Sequence, residues 1–258
     1  MSDIVEGTSF SQAKVGGVPF AVTDMESAVG WEISRATDRR SSPMPIRLSN
    51  AWSVVVAHED PVYRAVLEGP GVNLPDGTPI VWFLRAAGAS EAGRVRGPSF
   101  FEQVIDKGRP WGVRHYLLGG TGESLVKLRA EIHNRYPGAI VAGAYSPPFA
   151  PLDEANLADW AERIGQAAAD IVWIGLGTPK QDIAAARLVE RVGVDCIGVG
   201  AAFDFMAGSV AEAPRWMQDS GLEWCHRLMS EPGRLWRRYL IGNAKFLRIA
   251  TERLLRDH

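Results

Sequence analysis

From about residue 17 to about residue 205, short apolar runs alternate with longer stretches in which apolar positions recur at steps of three and four. The short runs predict strands at 18–23, 45–50, 71–76, 114–120, 139–145, 171–177 and 196–203, and the longer ones predict helices at 25–37, 52–67, 99–106, 122–137, 153–168 and 180–193. A strand-then-helix rhythm of this kind belongs to a parallel sheet with crossover helices. The expected fold class is therefore α/β, a Rossmann-like parallel-sheet body. After Gly208 strand-like alternation ends and the remaining residues read as two or three helices. The expected organisation is an N-terminal segment (1–40) partly packed on the body, a Rossmann-like domain (41–208) and a helical, basic C-terminal appendage (209–258).

Charge changes at the same place as the pattern. The whole chain carries 28 Lys+Arg against 30 Asp+Glu, a net −2 that offers no global attraction for nucleic acid. Residues 233–258 nevertheless hold seven basic and two acidic residues, so a +5 tail follows a −7 body. In that tail Trp236, Tyr239, Leu240, Phe246, Leu247, Ile249 and Leu254 fall at helical steps. Such a stripe either packs on the body or dips into a lipid headgroup region while Arg237, Arg238, Lys245 and Arg248 meet anionic lipid.

Composition narrows the class further. A 46% apolar fraction over 258 residues supplies a sizeable core. The two cysteines, Cys196 and Cys225, form no CxxC pair, which argues against a disulfide framework or structural zinc and favours a reducing cytoplasm. The opening residues are polar, unlike a secretory leader, and no apolar run approaches the ~18 residues that a membrane span requires.

In an open α/β sheet, ligands bind at the carboxyl ends of the strands, so chemistry is sought there. Asn50, the turn at 74–79, the glycine run Gly119-Gly120-Thr121-Gly122 and the segment 175–181 are the candidates. The glycine run suits a phosphate held by backbone N–H groups at a helix start, or simply a turn that needs positive φ. Asp76 suits a general base for an attacking hydroxyl, or a helix cap. Arg94 is a cation on the next connection, and Lys180 and Gln181 suit a diphosphate and a sugar hydroxyl or amide. Asp204 is read as structural. No GxxxxGK[ST] loop, complete dinucleotide fingerprint, GxSxG elbow or HExxH motif is present, and the five histidines lack ligand spacing. No metal site is expected.

Taken together, LPDGTPIVW, RVRGPSFFEQV, HYLLGGTGES, IGLGTPKQD, GVGAAFDFMAG and the long segment from Ala213 to Asn243 resemble the WecG/TagA/CpsF glycosyltransferase family over about residues 40–250. The resemblance implies transfer of a sugar, most often N-acetylmannosamine and in some branches glucose, from a UDP donor to a polyprenyl-diphosphate-linked sugar acceptor. It implies inversion at the anomeric carbon, no obligatory metal or other cofactor, and a cytoplasmic protein held peripherally at the inner membrane face through its appendage. It also assigns roles: Asp76 as base, with Arg94 and Gln181 beside it, and Asn50 near the donor. Arg215, Arg227, Arg234 and Arg237 match tail arginines thought to contact the donor diphosphate, with Gly119, Gly120, Thr121 and Lys180 as further donor-binding candidates. Partners are then the donor, the lipid-linked acceptor and a membrane surface, without nucleic acid; a homo-oligomer stays open, as does a UDP-binding, membrane-associated protein without turnover. Two positions depart from the family pattern: Leu48 stands where threonine is typical, and Pro98-Ser99 where Ser-Asp is common.

Overall fold

The computed structural model describes residues 10–38 and 40–257; the side chains of Asp219, Arg234 and Asp257 lie outside the described residues. The chain opens with a hairpin, β1 (Gln12–Val15) and β2 (Val18–Ala21), then α1 (Met25–Thr37), β3 (Pro45–Ser49), α2 (Ala51–Glu59), α3 (Pro61–Glu68), β4 (Val72–Pro75), α4 (Thr78–Ala86) and α5 (Gly97–Gly108). There follow β5 (Arg114–Gly119), α6 (Gly122–Arg135), β6 (Ile140–Tyr145), α7 (Glu154–Ala167), β7 (Ile171–Gly175), α8 (Lys180–Val192), β8 (Asp195–Gly198) and α9 (Ala202–Met206). The C-terminal region is helical: α10 (Arg215–Asp219), α11 (Glu223–Ser230), α12 (Pro232–Trp236), a π-helical turn (Arg237–Ile241) and α13 (Gly242–Asp257).

Six strands form one parallel sheet in the order β4-β3-β8-β7-β5-β6, flanked by helices, so the body is the Rossmann-like α/β arrangement. Both sheet faces are covered, as a parallel sheet requires. Alternate residues divide the strands between the layers: Leu117, Ile171, Trp173 and Ile197 pack under α1, α5, α6 and α9, while Tyr116, Leu118, Val172 and Ile174 pack under α7 and α8.

Local chemistry sets the element ends. Asp24 caps α1 by accepting the Ser27 N–H at 2.8 Å, and Thr121 and Asp153 cap α6 and α7 in the same manner. The single helix expected over 52–67 is two, because Asp60 caps a second start and Pro61 occupies its first position. The strand expected at 18–23 leaves the parallel rhythm and pairs antiparallel with β1, a strand the apolar pattern does not announce. Gly16 and Gly17, at φ of 60° and 92°, supply the two left-handed residues that a tight hairpin turn demands.

The appendage is built into this core. Phe246, Ile249 and Ala250 of α13 are buried with Val15, Phe20, Val54 and Ile80, and the Phe246 ring meets Phe83 edge-on with centroids 5.4 Å apart. Leu240, Leu247 and Trp236 stay exposed. The tail stripe therefore splits, one part in the core and another on the surface. Because Phe246 is core, Phe246→Ala is expected to lower global stability by about 3–5 kcal/mol in urea unfolding; an appendage merely tethered to the body would leave the transition midpoint in place.

Candidate active site

A cavity of about 420 Å³ opens over the carboxyl ends of β4, β3, β8 and β7 and is roofed by residues of the C-terminal region. Its size is that of a small-molecule site. The loops after the four strands supply Asn50, Asp76, Gly175–Thr178, Gln181 and Val199–Ala201, and the appendage adds Glu223, Trp224, Arg227, Arg238, Tyr239 and Asn243.

Asp76 sits where β4 ends. Its N–H donates to Ser49 O at 2.9 Å, and its side chain keeps 21% of its exposure. It does not cap α4: the N-cap is Gly77, at φ 123° and without a side-chain cap bond. The capping alternative thus falls away, and the carboxylate faces the cavity. Burial pushes its pKa above the usual aspartate range; Arg94 opposes this, Glu223 adds to it, and Arg96 and a Gly97 N–H bond oppose it. Arg94 Nη2 lies 3.9 Å from Asp76 Oδ1 but spends its closer contact on Glu223, at 2.6 Å.

Asn50 lines the cavity while its Oδ1 caps α2 through the Trp52 N–H at 3.0 Å. Gln181 lines it as well but is only 3% exposed, and its Oε1 accepts two backbone N–H bonds, from Gly177 at 3.0 Å and Gly200 at 2.9 Å. These bonds tie the loops after β7 and β8 together, so Gln181 holds the cavity floor. Beneath it, Asp182 accepts the Tyr63 hydroxyl at 2.6 Å near the buried Arg47. Desolvation pushes Asp182 up to about 6 and Arg47 down to about 10.

Arg227 reaches the lining one helical turn beyond Glu223, with its guanidinium 5.3 Å from the Phe205 ring. Gly119, Gly120, Thr121, Lys180, Arg215 and Arg237 lie outside the lining. Gly119, Gly120 and Thr121 pack against the end of β7 instead: Gly120 N–H donates to Gly175 O at 3.2 Å, a Cβ on Gly119 would collide with that carbonyl, and Thr121 caps α6. Lys180 donates to Ala150 O at 2.6 Å on the loop after β6. Arg215 is exposed, and Arg237 is exposed beside the Trp236 ring. The Arg234 side chain lies outside the described residues.

Sequence reasoning missed Arg96, Glu223, Arg238, Trp52, Trp224 and Tyr239 as lining residues, and set aside Asp204, which also lines the cavity. The four-residue spacing of Glu223 and Arg227 was the available signal, since it places both on one helix face. Leu48, the departure from the family pattern, is in the lining, whereas the neighbouring Ser49 is buried away from it. No cluster of three or more potential metal ligands occurs among the described residues, and none of their helices is long and apolar enough to cross a membrane.

With this geometry in view, a family model for the glycosyl transferase WecG/TagA/CpsF family matches residues 13–258, nearly the whole chain. The chain belongs to that family. It is accordingly a glycosyltransferase of cell-surface polysaccharide synthesis, acting on a nucleotide-sugar donor and an acceptor.

The buried pair under the floor of this transferase makes a pH prediction. Asp182 has a folded-state pKa above its unfolded one, so its contribution to stability is full below the ordinary aspartate range and is lost as pH rises through about 6. Asp182→Asn keeps an acceptor for Tyr63 and carries no charge. Between about pH 4 and pH 7 the stability difference should move in the variant's favour by on the order of 2 kcal/mol, read by urea unfolding at each pH.

Proposed function

We propose that the enzyme is an inverting transferase that moves a sugar, N-acetylmannosamine before glucose, from a UDP donor to a polyprenyl-diphosphate-linked acceptor. The observation that carries this reading is a strand-end carboxylate, Asp76, open to a cavity whose charged walls include guanidinium groups from both body and appendage. Asp76 takes the proton of the acceptor hydroxyl, the oxygen attacks the anomeric carbon from the face opposite UDP, and the bond to the diphosphate breaks with its electron pair leaving on UDP. An elevated carboxylate pKa brings the base nearer the working pH and strengthens it.

Negative charge that develops on the departing diphosphate meets Arg227 and Arg238. Arginine suits this task because it stays protonated and its planar fork binds two phosphate oxygens. With cations in this position the transfer proceeds without a metal. The aromatic walls Trp52, Trp224 and Tyr239 offer faces for the uracil and sugar rings.

The second part of the proposal places the protein on the inner face of the cell membrane. Trp236, Leu240, Ile241 and Leu247 are all exposed on the same short stretch that carries exposed Arg237, Lys245 and Arg248. Apolar side chains beside cations are what an anionic headgroup region accepts.

Two experiments test these readings. With purified protein, UDP-N-acetylmannosamine and a short-chain polyprenyl-diphosphate-sugar acceptor, UDP release should depend on acceptor; Asp76→Asn should lower kcat by roughly 10²–10⁴-fold with UDP binding kept. Full activity in that variant refutes the base assignment. In liposome flotation, the full chain should rise with vesicles rich in anionic lipid, and the double variant Leu240→Ser, Leu247→Ser should stay at the bottom; equal flotation of both rules out this membrane surface.

A further inference from the structure

Glu223 opens α11, and its carboxylate is 12% exposed between two arginines of the loop before α5. Oε2 accepts from Arg94 Nη2 at 2.6 Å, and Oε1 accepts from Arg96 Nη2 at 2.8 Å, with Arg96 Nε 3.1 Å from both oxygens. The same arginines make further bonds to the appendage: Arg94 Nη1 donates to Gln218 O at 2.9 Å, and Arg96 Nη2 lies 3.2 Å from Glu212 Oε2. Arg96 also reaches Ser99 Oγ at 3.2 Å. Thus both terminal nitrogens of Arg94 are engaged by the appendage, and Asp76, 3.9 Å away, receives no hydrogen bond from Arg94.

That arrangement matters for a base. An aspartate locked in a two-pronged bond to arginine is held ionised and weakly basic, with its oxygens occupied. Here Glu223 takes up the guanidinium that would otherwise turn onto Asp76. We infer that Glu223 is a positioning residue, which holds Arg94 beside Asp76 without letting it bond and so keeps the base free and basic only while the appendage is seated. The inference rests on the reading of Asp76 as general base. It also gives the appendage a role in the chemistry apart from covering the cavity, because the carboxylate that sets the state of the base comes from beyond residue 208.

The groups facing Asp76 are Arg94 and Arg96 on its own side and Glu223 from the appendage, together with the Gly97 N–H. Burial opposes ionisation of Glu223, but Arg96 and then Arg94 outweigh it and hold Glu223 below the usual glutamate range. Activity that needs ionised Asp76 is present above its pKa and is lost as pH falls through it. Glu223→Gln removes a neighbouring negative charge and frees Arg94 to bond Asp76, and both changes favour the carboxylate form. The acid limb of kcat should therefore move to lower pH by roughly one unit, with kcat at neutral pH down about tenfold.

Arg94→Gln gives the opposite sign. It removes the cation and leaves Glu223, so the acid limb should move to higher pH. The measurement is kcat for UDP release against pH with the full-length proteins, each checked for parental circular dichroism. Shifts of opposite sign support the inference. An acid limb that stays in place in a folded Glu223→Gln protein, or a rise in KM alone, overturns it and reduces Glu223 to a fastening for the appendage; should Glu223→Gln not fold, an unshifted or downward limb in Arg94→Gln overturns it equally. Asp76→Asn run in parallel separates the two claims: activity kept there defeats the base reading itself, whereas activity lost there with unmoved limbs defeats only the role of Glu223.

Discussion

Because all six strands of the main sheet run one way, every loop that follows a strand is delivered to the same edge, and the polar ends of β4, β3, β8 and β7 converge on one cavity. Both faces of the sheet are sealed by helices, so that edge is where the body can admit a ligand. The close approach of neighbouring loops there is made possible by glycine. Gly119, at φ 125°, lets the turn after β5 pack directly onto the carbonyl at the end of β7, and Gln181 then clamps the loops after β7 and β8 through two backbone N–H groups. A floor held in this way is stiff before any substrate arrives, as a site that stabilises developing charge needs to be.

The roof is a different kind of structure. The C-terminal region contributes a buried aromatic anchor, Phe246, a carboxylate that ties two arginines of the body, Glu223, and cations in the lining, Arg227 and Arg238. Phe246 is on α13 and Glu223 on α11, so apolar burial seats one end of the region while charge pairing seats the other. A half-buried ion pair adds modest net stability, but removing one partner strands the other's charge. The pairing at Glu223 therefore serves placement more than stability: without it, Arg94 would face Asp76 with no other carboxylate engaging it, while Arg96 would keep Glu212.

Much of the scaffold is legible from the chain's pattern. Seven strand runs appear where apolar periodicity starts them, since in a parallel sheet a fully apolar run such as Ile171–Ile174 has no other stable environment, but the run expected over 196–203 is strand only to Gly198 and its end enters α9. The exceptions have local causes. β1 has too few apolar residues to announce itself and forms because two glycines fold it back on β2, and the helix over 52–67 breaks because Asp60 and Pro61 start a new one. Among candidate site residues, those fixed by a strand end, Asn50 and Asp76, are in the cavity; those whose long side chains choose among neighbours are not all so placed. Lys180 turns to the carbonyl of Ala150, and Arg237 turns outward while Arg238, one residue on, lines the cavity.

Sequence by itself determined the α/β class, most of the strand and helix alternation, the helical character of the C-terminal region and the strand-end position of Asp76, because these follow from periodicity and turn chemistry over a few neighbouring residues. Only the tertiary structure decided which glycines line a site and which merely allow close packing, which tail arginines face inward, and that Glu223 meets Arg94 and Arg96. Those outcomes depend on which groups, far apart in the chain, compete for the same donor or acceptor, and that competition is settled only when the appendage closes over the sheet.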